Sequence, residues 1–356
     1  TTCLVAHAAD APSPKATGGH GYPQWRNDGS GSAPDSGVEL VDDISQAKVL
    51  WESEEPLPWA KGWNWKTAGY CGPSVAQGTV YLAYYERSGE FYDKTMFDHW
   101  GKGLCQLHPE GCPGDRAANN NATRKKRGIT ENDLRVYFRV FADDVLLAID
   151  AATGKTKWRT VMAGKGFNTQ LLDSLWTMNP CVVGDRVVFV GSAGRVYCLA
   201  RQTGEVLWES HIGAGHEMAW KEVTEWANSD NPFDEAHAKM AHQRRIANPC
   251  TFRFQEGKRF SVGQPVASDL HVIMGDGIGG LTALSLESGE TVWHQDKVMP
   301  IWSQPTLWKT DERYYVLHNG GGGTQCRDAA TGAVVWAVKG STGGQLYGPV
   351  VSGNTM

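Results

Sequence analysis

The sequence has no run long and apolar enough to cross a bilayer as a helix, so no transmembrane segment is expected in its 356 residues. It also lacks a strong charge of either sign. The formal net charge is -5, and the one basic run, Arg124-Lys125-Lys126-Arg127, follows three asparagines and reads as a solvated loop. No nucleic-acid partner is expected on that balance. Motif-grade cysteine and histidine chemistry is missing too. The eight cysteines include no adjacent pair, no C-x-x-C-H haem site and no paired C-x-x-C zinc site. His99, His108, His216, His237 and His242 form no H-x-x-x-H or H-E-x-x-H pair. Cys105 and Cys112 flank LHPEG at a spacing that suits a small disulfide loop in an oxidising compartment. Cys71, Cys181, Cys198, Cys250 and Cys326 lie in or beside strand-like runs, where buried thiols and bridges remain equally open.

Glycine and tryptophan are abundant, at 42 and 15 residues. Frequent glycine between many short apolar runs suggests many turns and an all-β architecture. One motif recurs: AIDAATGKTKW ending at Trp158, CLARQTGEVLW at Trp208, ALSLESGETVW at Trp293 and CRDAATGAVVW at Trp336. Each copy closes a unit that opens on a proline, namely Pro73, Pro180, Pro265 and Pro305. Within a unit the pattern is strand, polar turn, strand, Gly-rich turn, strand, Thr/Ser-Gly turn, strand. Alternation such as Val187-Val188-Phe189-Val190 and Val196-Tyr197-Cys198-Leu199 has the period of a β-strand. Four short strands per unit at this period is the signature of a β-propeller blade.

The motif has a mechanical reading. Gly154, Gly204, Gly289 and Gly332 suit a tight turn between the third and fourth strands, where φ is positive. Asp150 and Asp328, four residues earlier, are placed to bond local backbone. Trp158, Trp208, Trp293 and Trp336 offer flat apolar surfaces that belong in the seams between blades.

The repeat, A-x-D-x-x-T-G-x-x-x-W in its fullest form, is similar to the pyrroloquinoline-quinone-like (PQQ-like) propeller repeat, and the resemblance runs from Pro73 to Met356. The segment YPQWRNDGSGSAPDSG, Tyr22 to Gly37, also resembles the opening of exported bacterial members. The resemblance implies a propeller of seven or eight blades, related in repeat chemistry to the BamB-like assembly propellers. It is poor evidence for an enzyme, because many members bind no quinone.

The expected organisation follows. Residues 1–21 read as a signal-peptide remnant and linker, because TTCLVAHAAD ends an apolar stretch on the A-x-A pattern Ala6-His7-Ala8. An exported bacterial protein, periplasmic or extracellular, is expected. Residues 22–356 form the propeller, with blades about 73–158, 180–208, 265–293 and 305–336. Lys48 to Trp51 reads as a lone fourth strand, and a partial blade starts at 347. An incomplete ring is expected, with further blades needed to close it.

Blade topology sorts the loops between two faces. The insertions 86–141 and 209–264 both fall on the face that carries the second-to-third and fourth-to-first connections, while the opposite turns stay short. Long loops on a rigid scaffold are where function concentrates, so this top face is the expected working surface. It carries Trp59, Trp63 and Trp65 as candidate ligand-stacking rings, and His216 and Glu217 beside them. The stretch from Glu217 to Ala247 reads as two helical pieces broken near Asn231-Pro232. Asn-Pro-Cys occurs at Asn179 and at Asn248 without an evident role in the sequence.

Two functions are compatible with this surface. One is a non-catalytic binding scaffold for a protein or carbohydrate partner. The other is a quinoprotein dehydrogenase using PQQ and Ca²⁺, which needs carboxylate and amide oxygens around a cation and a carboxylate base. The family's alcohol dehydrogenases often carry a vicinal disulfide, and some a haem motif; neither is in this sequence. Asp173, Asn179 and Glu217 are scattered polar candidates, but no pattern singles them out, so catalytic, cofactor and metal residues are left unassigned and the binding reading is favoured.

Overall fold

The computed structural model describes residues 2–5, 43, 45, 48–55, 72–88, 141–167, 179–192, 194–212, 264–276, 279–296, 298, 304–310, 313–320, 323–340 and 348–351. Every regular element assigned among them is a strand, apart from an isolated 3₁₀ position at Ser45. The helical pieces expected between Glu217 and Ala247 lie outside the described residues.

Sixteen of the strands form four antiparallel sheets, each a simple meander of four. The first blade is β3 (Ser74–Ala76), β4 (Thr79–Arg87), β5 (Phe141–Asp150) and β6 (Thr156–Phe167). The second is β7 (Cys181–Val183), β8 (Arg186–Val190), β9 (Arg195–Ala200) and β10 (Val206–His211). The third is β11 (Val266–Ala267), β12 (His271–Gly275), β13 (Leu281–Ser285) and β14 (Thr291–Gln295). The fourth is β15 (Thr306–Lys309), β16 (Tyr314–Gly320), β17 (Gly323–Asp328) and β18 (Val334–Lys339). The first strands of successive blades adjoin, β3 to β7 to β11 to β15. This is a β-propeller.

The strand period explains the packing. In the third blade, Val272, Met274 and Leu284 join the seam with the second blade, whereas Ile273, Leu281 and Ala283 join the seam with the fourth. In the second and third blades both faces of the sheet are buried, so their middle strands read as nearly continuous apolar runs instead of alternating ones.

Each third-to-fourth strand pair carries a register irregularity at the same place. It follows the pairs Ala148↔Trp158, Cys198↔Trp208, Ala283↔Trp293 and Cys326↔Trp336. A bulge re-aims a side chain, and the first three of these tryptophans point into the neighbouring blade. The indole Nε1–H of Trp158 donates to Arg201 O at 3.0 Å, that of Trp208 to Leu286 O at 3.0 Å, and that of Trp293 to Ala329 O at 2.9 Å. The ring lies flat on the motif glycine of the blade it reaches. A Cβ added at Gly204, Gly289 or Gly332 would stand 2.6, 2.5 or 2.8 Å from Trp158, Trp208 or Trp293. Those glycines have φ of 72–74°, a conformation that glycine adopts at least cost.

The turns at Gly154, Gly289 and Gly332 are stiffened by the side chain four residues earlier, whereas the turn at Gly204 has Ala200 there. Asp150 Oδ1 accepts from Ala152 N, Thr153 N and Thr153 Oγ1 within 3.1 Å, and Asp328 does the same for Ala330 and Thr331. At Ser285 the hydroxyl oxygen takes the equivalent two N–H groups, from Glu287 and Ser288.

Two strands stand outside the four blades. β2 (Lys48–Glu52) places Trp51 on Gly154 of the first blade, with Nε1 donating to Ala151 O at 2.9 Å. β1 (Thr2–Val5), within the stretch read from sequence as a leader remnant, pairs antiparallel with β2. At the other end, Thr306 Oγ1 donates to Pro349 O, and Val351 packs with Leu317, Cys326 and Trp336 on the far side of the fourth blade.

Candidate functional site at the loop-bearing face

Antiparallel meanders put the β4–β5, β6–β7, β8–β9 and β10–β11 connections on one face, with the corresponding connections of the later blades. Residues 88–140 leave β4 and return at β5, and the long connection after β10 rejoins at β11. The opposite face carries the Thr/Ser-Gly turns and two-residue hairpin turns such as Gln77-Gly78 and Gly184-Asp185. Trp59, Trp63, Trp65, His216 and Glu217 lie outside the described residues, as do Asp173, Cys105, Cys112 and the other insertion histidines. Of the polar candidates named from sequence, Asn179 is described.

Asn179 belongs to an axial girdle that sequence reading missed. The residue before each blade-opening proline is Gly72, Asn179, Gln264 or Gln304. Asn179 Oδ1 accepts from Gly72 N at 3.0 Å. Gln264 Oε1 accepts from Asn179 N at 3.0 Å, and its Nε2 donates to Asn179 O at 2.9 Å. The Gln264 carboxamide thus pairs with a backbone peptide as a strand would. One residue on, Ser74 Oγ donates to Pro180 O at 2.5 Å and the Cys181 thiol to Pro265 O at 3.3 Å. The Asn-Pro-Cys triplet at Asn179 therefore has a job: its first and third residues tie three blades together around the axis. Proline removes a backbone donor there, and side chains supply the missing cross-links. Polar residues flanking proline at each unit's opening were the signal available.

A second constellation lies in the seam of the first two blades. Asp144 on β5 is wholly buried. Its Oδ1 accepts from Ser192 N at 2.8 Å and Ser192 Oγ at 2.6 Å, while among the described residues Oδ2 accepts from Tyr197 OH alone, at 3.3 Å. Burial pushes its carboxyl up to about 6, against the opposing pull of these donors. A side chain at Gly191 would overlap the carboxylate, and one at Gly166 would meet Asp144 and Ser192.

A third group sits at the same end of the third blade. His294 Nδ1 is 2.8 Å from Thr282 Oγ1, and its Nε2 is 2.9 Å from Asp296 Oδ1 and 3.8 Å from Asp276 Oδ2. Two carboxylates at Nε2 place the ring proton there, so Nδ1 accepts from the threonine. The order hydroxyl, imidazole, carboxylate has the polarity of a nucleophile relay, but Thr282 is only 2% exposed, out of reach of a substrate.

Among the described residues no set of three His, Cys, Asp or Glu side chains is placed to hold a metal ion. Of the described amides before the blade-opening prolines, Asn179 and Gln264 give their oxygens to backbone N–H groups, and Gln304 Oε1 alone is buried without a hydrogen-bond partner, a single oxygen and not a set. These residues do not fit the oxygen cage that a quinone-bound Ca²⁺ requires.

Residues 116–229 and 237–355 match the family described as outer membrane protein assembly factor BamB. The chain belongs to this BamB family. No curated protein matches it. Among solved structures it is similar to BamB from Moraxella catarrhalis, at 18% identity and TM-score 0.33 over 57% of this chain and 48% of that one. It is similar to the computationally designed protein Ika8, at 10% identity and TM-score 0.32 over 58% and 48%. It is also similar to the quinohemoprotein alcohol dehydrogenase ADHIIG from Pseudomonas putida HK5, at 18% identity and TM-score 0.33 over 75% and 41%. The chain spans about half the length of the solved structures it matches. No helix among the described residues is long and apolar enough to cross a membrane.

Proposed function

We propose that this BamB-family propeller is an exported binding scaffold, periplasmic or extracellular, that engages a protein partner through its loop-bearing face. One observation carries the reading. Both long connections leave from the strand ends of one face, while the Thr/Ser-Gly turns that receive the neighbouring indoles occupy the other. The indole contacts thus fix neighbouring blades from the end opposite the long loops, and long loops on a rigid scaffold suit recognition. The name of the family's outer-membrane assembly factor favours a protein over a carbohydrate as the partner.

The second reading, a PQQ- and Ca²⁺-dependent dehydrogenase, rests on the likeness of the repeat, and the described residues supply no cation cage for it. One experiment separates the two. The full-length protein is incubated with PQQ and Ca²⁺ and followed by quinone absorbance and by dye reduction with alcohols and sugars. In parallel, periplasmic crosslinking is carried out with the 88–140 loop present or replaced by a short Gly/Ser link. The scaffold reading expects no stoichiometric quinone and a crosslinked protein that disappears with the loop. Stoichiometric PQQ uptake with dye reduction would falsify it. N-terminal mass spectrometry of the exported protein tests cleavage after Ala8.

A further inference from the structure

The carboxyl of Asp144 is wholly buried, on the side of β5 that carries Leu146 and Ala148 into the seam with Phe189, Tyr197 and Leu199 of the second blade. Its two oxygens are unequally served. Oδ1 has two donors at ordinary charge-assisted lengths, 2.8 and 2.6 Å. Oδ2 has one hydroxyl at 3.3 Å, well beyond the 2.5–2.7 Å usual for an O–H donor to a carboxylate. Among the described residues its hydrogen-bond donors, Ser192 and Tyr197, all come from the second blade, so the charge state of this one side chain acts across a seam.

The other charged groups around it offset its burial only in part: Arg195 pulls its value down, less than burial raises it. Arg195 on β9 is the nearby cation, and its guanidinium is held by Glu209 and lies 2.8 Å from His211 Nε2. Lys165 on β6 pairs with Glu209, away from the carboxyl. Tyr197 is held neutral by its own burial. Across the sheet Asp144 faces Tyr85 on β4 and Met162 on β6, and the guanidinium of Arg87, two residues along β4, lies 6.0 Å from the Tyr85 ring.

We propose that Asp144 is a proton-controlled latch between the first two blades: with the proton on Oδ2, donated toward Tyr197 Oη, the seam is at its tightest, and loss of that proton loosens it. The sign follows from the raised value. A carboxyl near 6 in the folded protein contributes stability that is complete below its unfolded value of 3.8 and is lost as pH rises through 6. Glycine at 191 leaves room for the carboxyl and for nothing larger, which keeps the latch in the seam.

The test compares urea unfolding of the full-length protein with that of Asp144→Asn, an isostere of the neutral acid, at several pH values from about 5 to 8. The variant cannot ionise at this site. The folding constant of the wild-type protein should fall relative to the variant by about tenfold across that range, with hydrogen exchange of the 190–197 segment rising in step. A ratio that stays constant overturns the latch. Should Asp144→Asn fail to fold, infrared difference spectra of the wild-type protein decide. A buried protonated-carboxyl band that fades as pH rises through 6 supports the proposal; its absence at pH 5 overturns it.

Discussion

Alanine at Gly289 meets two separate penalties. The residue has φ of 74°, and an L-side chain in the left-handed region costs about 1–2 kcal/mol. The new Cβ would also stand 2.5 Å from Cε3 and 2.7 Å from Cδ2 of Trp208, a side chain itself buried in the seam. The indole must retreat, which costs about 1–3 kcal/mol as overpacking and strains the bond from Trp208 Nε1 to Leu286 O, worth about 1 kcal/mol. Together these give about 2–5 kcal/mol, a large part of the 5–15 kcal/mol typical of a domain. Gly78 provides the internal control: its φ is 70°, and no atom lies within 4 Å of a Cβ built on it. Gly78→Ala should cost only the backbone share, about 1–2 kcal/mol. Urea unfolding of both variants, repeated in a Trp208→Ala background, isolates the difference. In that background Gly289→Ala should shrink to the cost of Gly78→Ala, because the collision partner is gone. Equal costs for the two glycines, or an undiminished Gly289→Ala effect without the indole, would refute the docking account.

Gln264→Leu should destabilise by about 2 kcal/mol or more, because it strands both the N–H and the C=O of Asn179 in a buried site; the drop in urea midpoint measures it. Cys181, Cys198 and Cys326 are buried, and burial pushes the last two thiols up to about 11. Iodoacetamide followed by mass spectrometry should leave all three unmodified in the native protein at pH 8 and alkylate them in urea.

The blades were legible because their signal is periodic. Proline openings, alternating strands and the Thr/Ser-Gly-x-x-x-Trp close recur in phase, and local chemistry alone dictates each turn. The bonds between blades were not, because they join residues far apart in the chain. Gln264 meets Asn179 across 85 positions, and Asp144 meets Ser192 across 48. Parity offered one clue: Asp144 shares a strand face with Leu146 and Ala148, so the alternation that buries them buries it. No such rule points Gln264 at a neighbour's peptide. The face to inspect followed from loop lengths, whereas the ligand depends on side chains that come together only in three dimensions.

The tryptophan seam has a consequence for how such a protein can change. Indole docking takes place at the Thr/Ser-Gly ends of the blades, each indole on one strand finding its glycine on the next. The long connections emerge at the opposite ends, so a deletion, graft or exchange there leaves every indole bond in place. Loop content and indole docking are thus separable: a lineage, or an engineer, can rewrite a loop without touching the tryptophan contacts, as long as Asn179 and Gln264, which border the same face, keep their bonds.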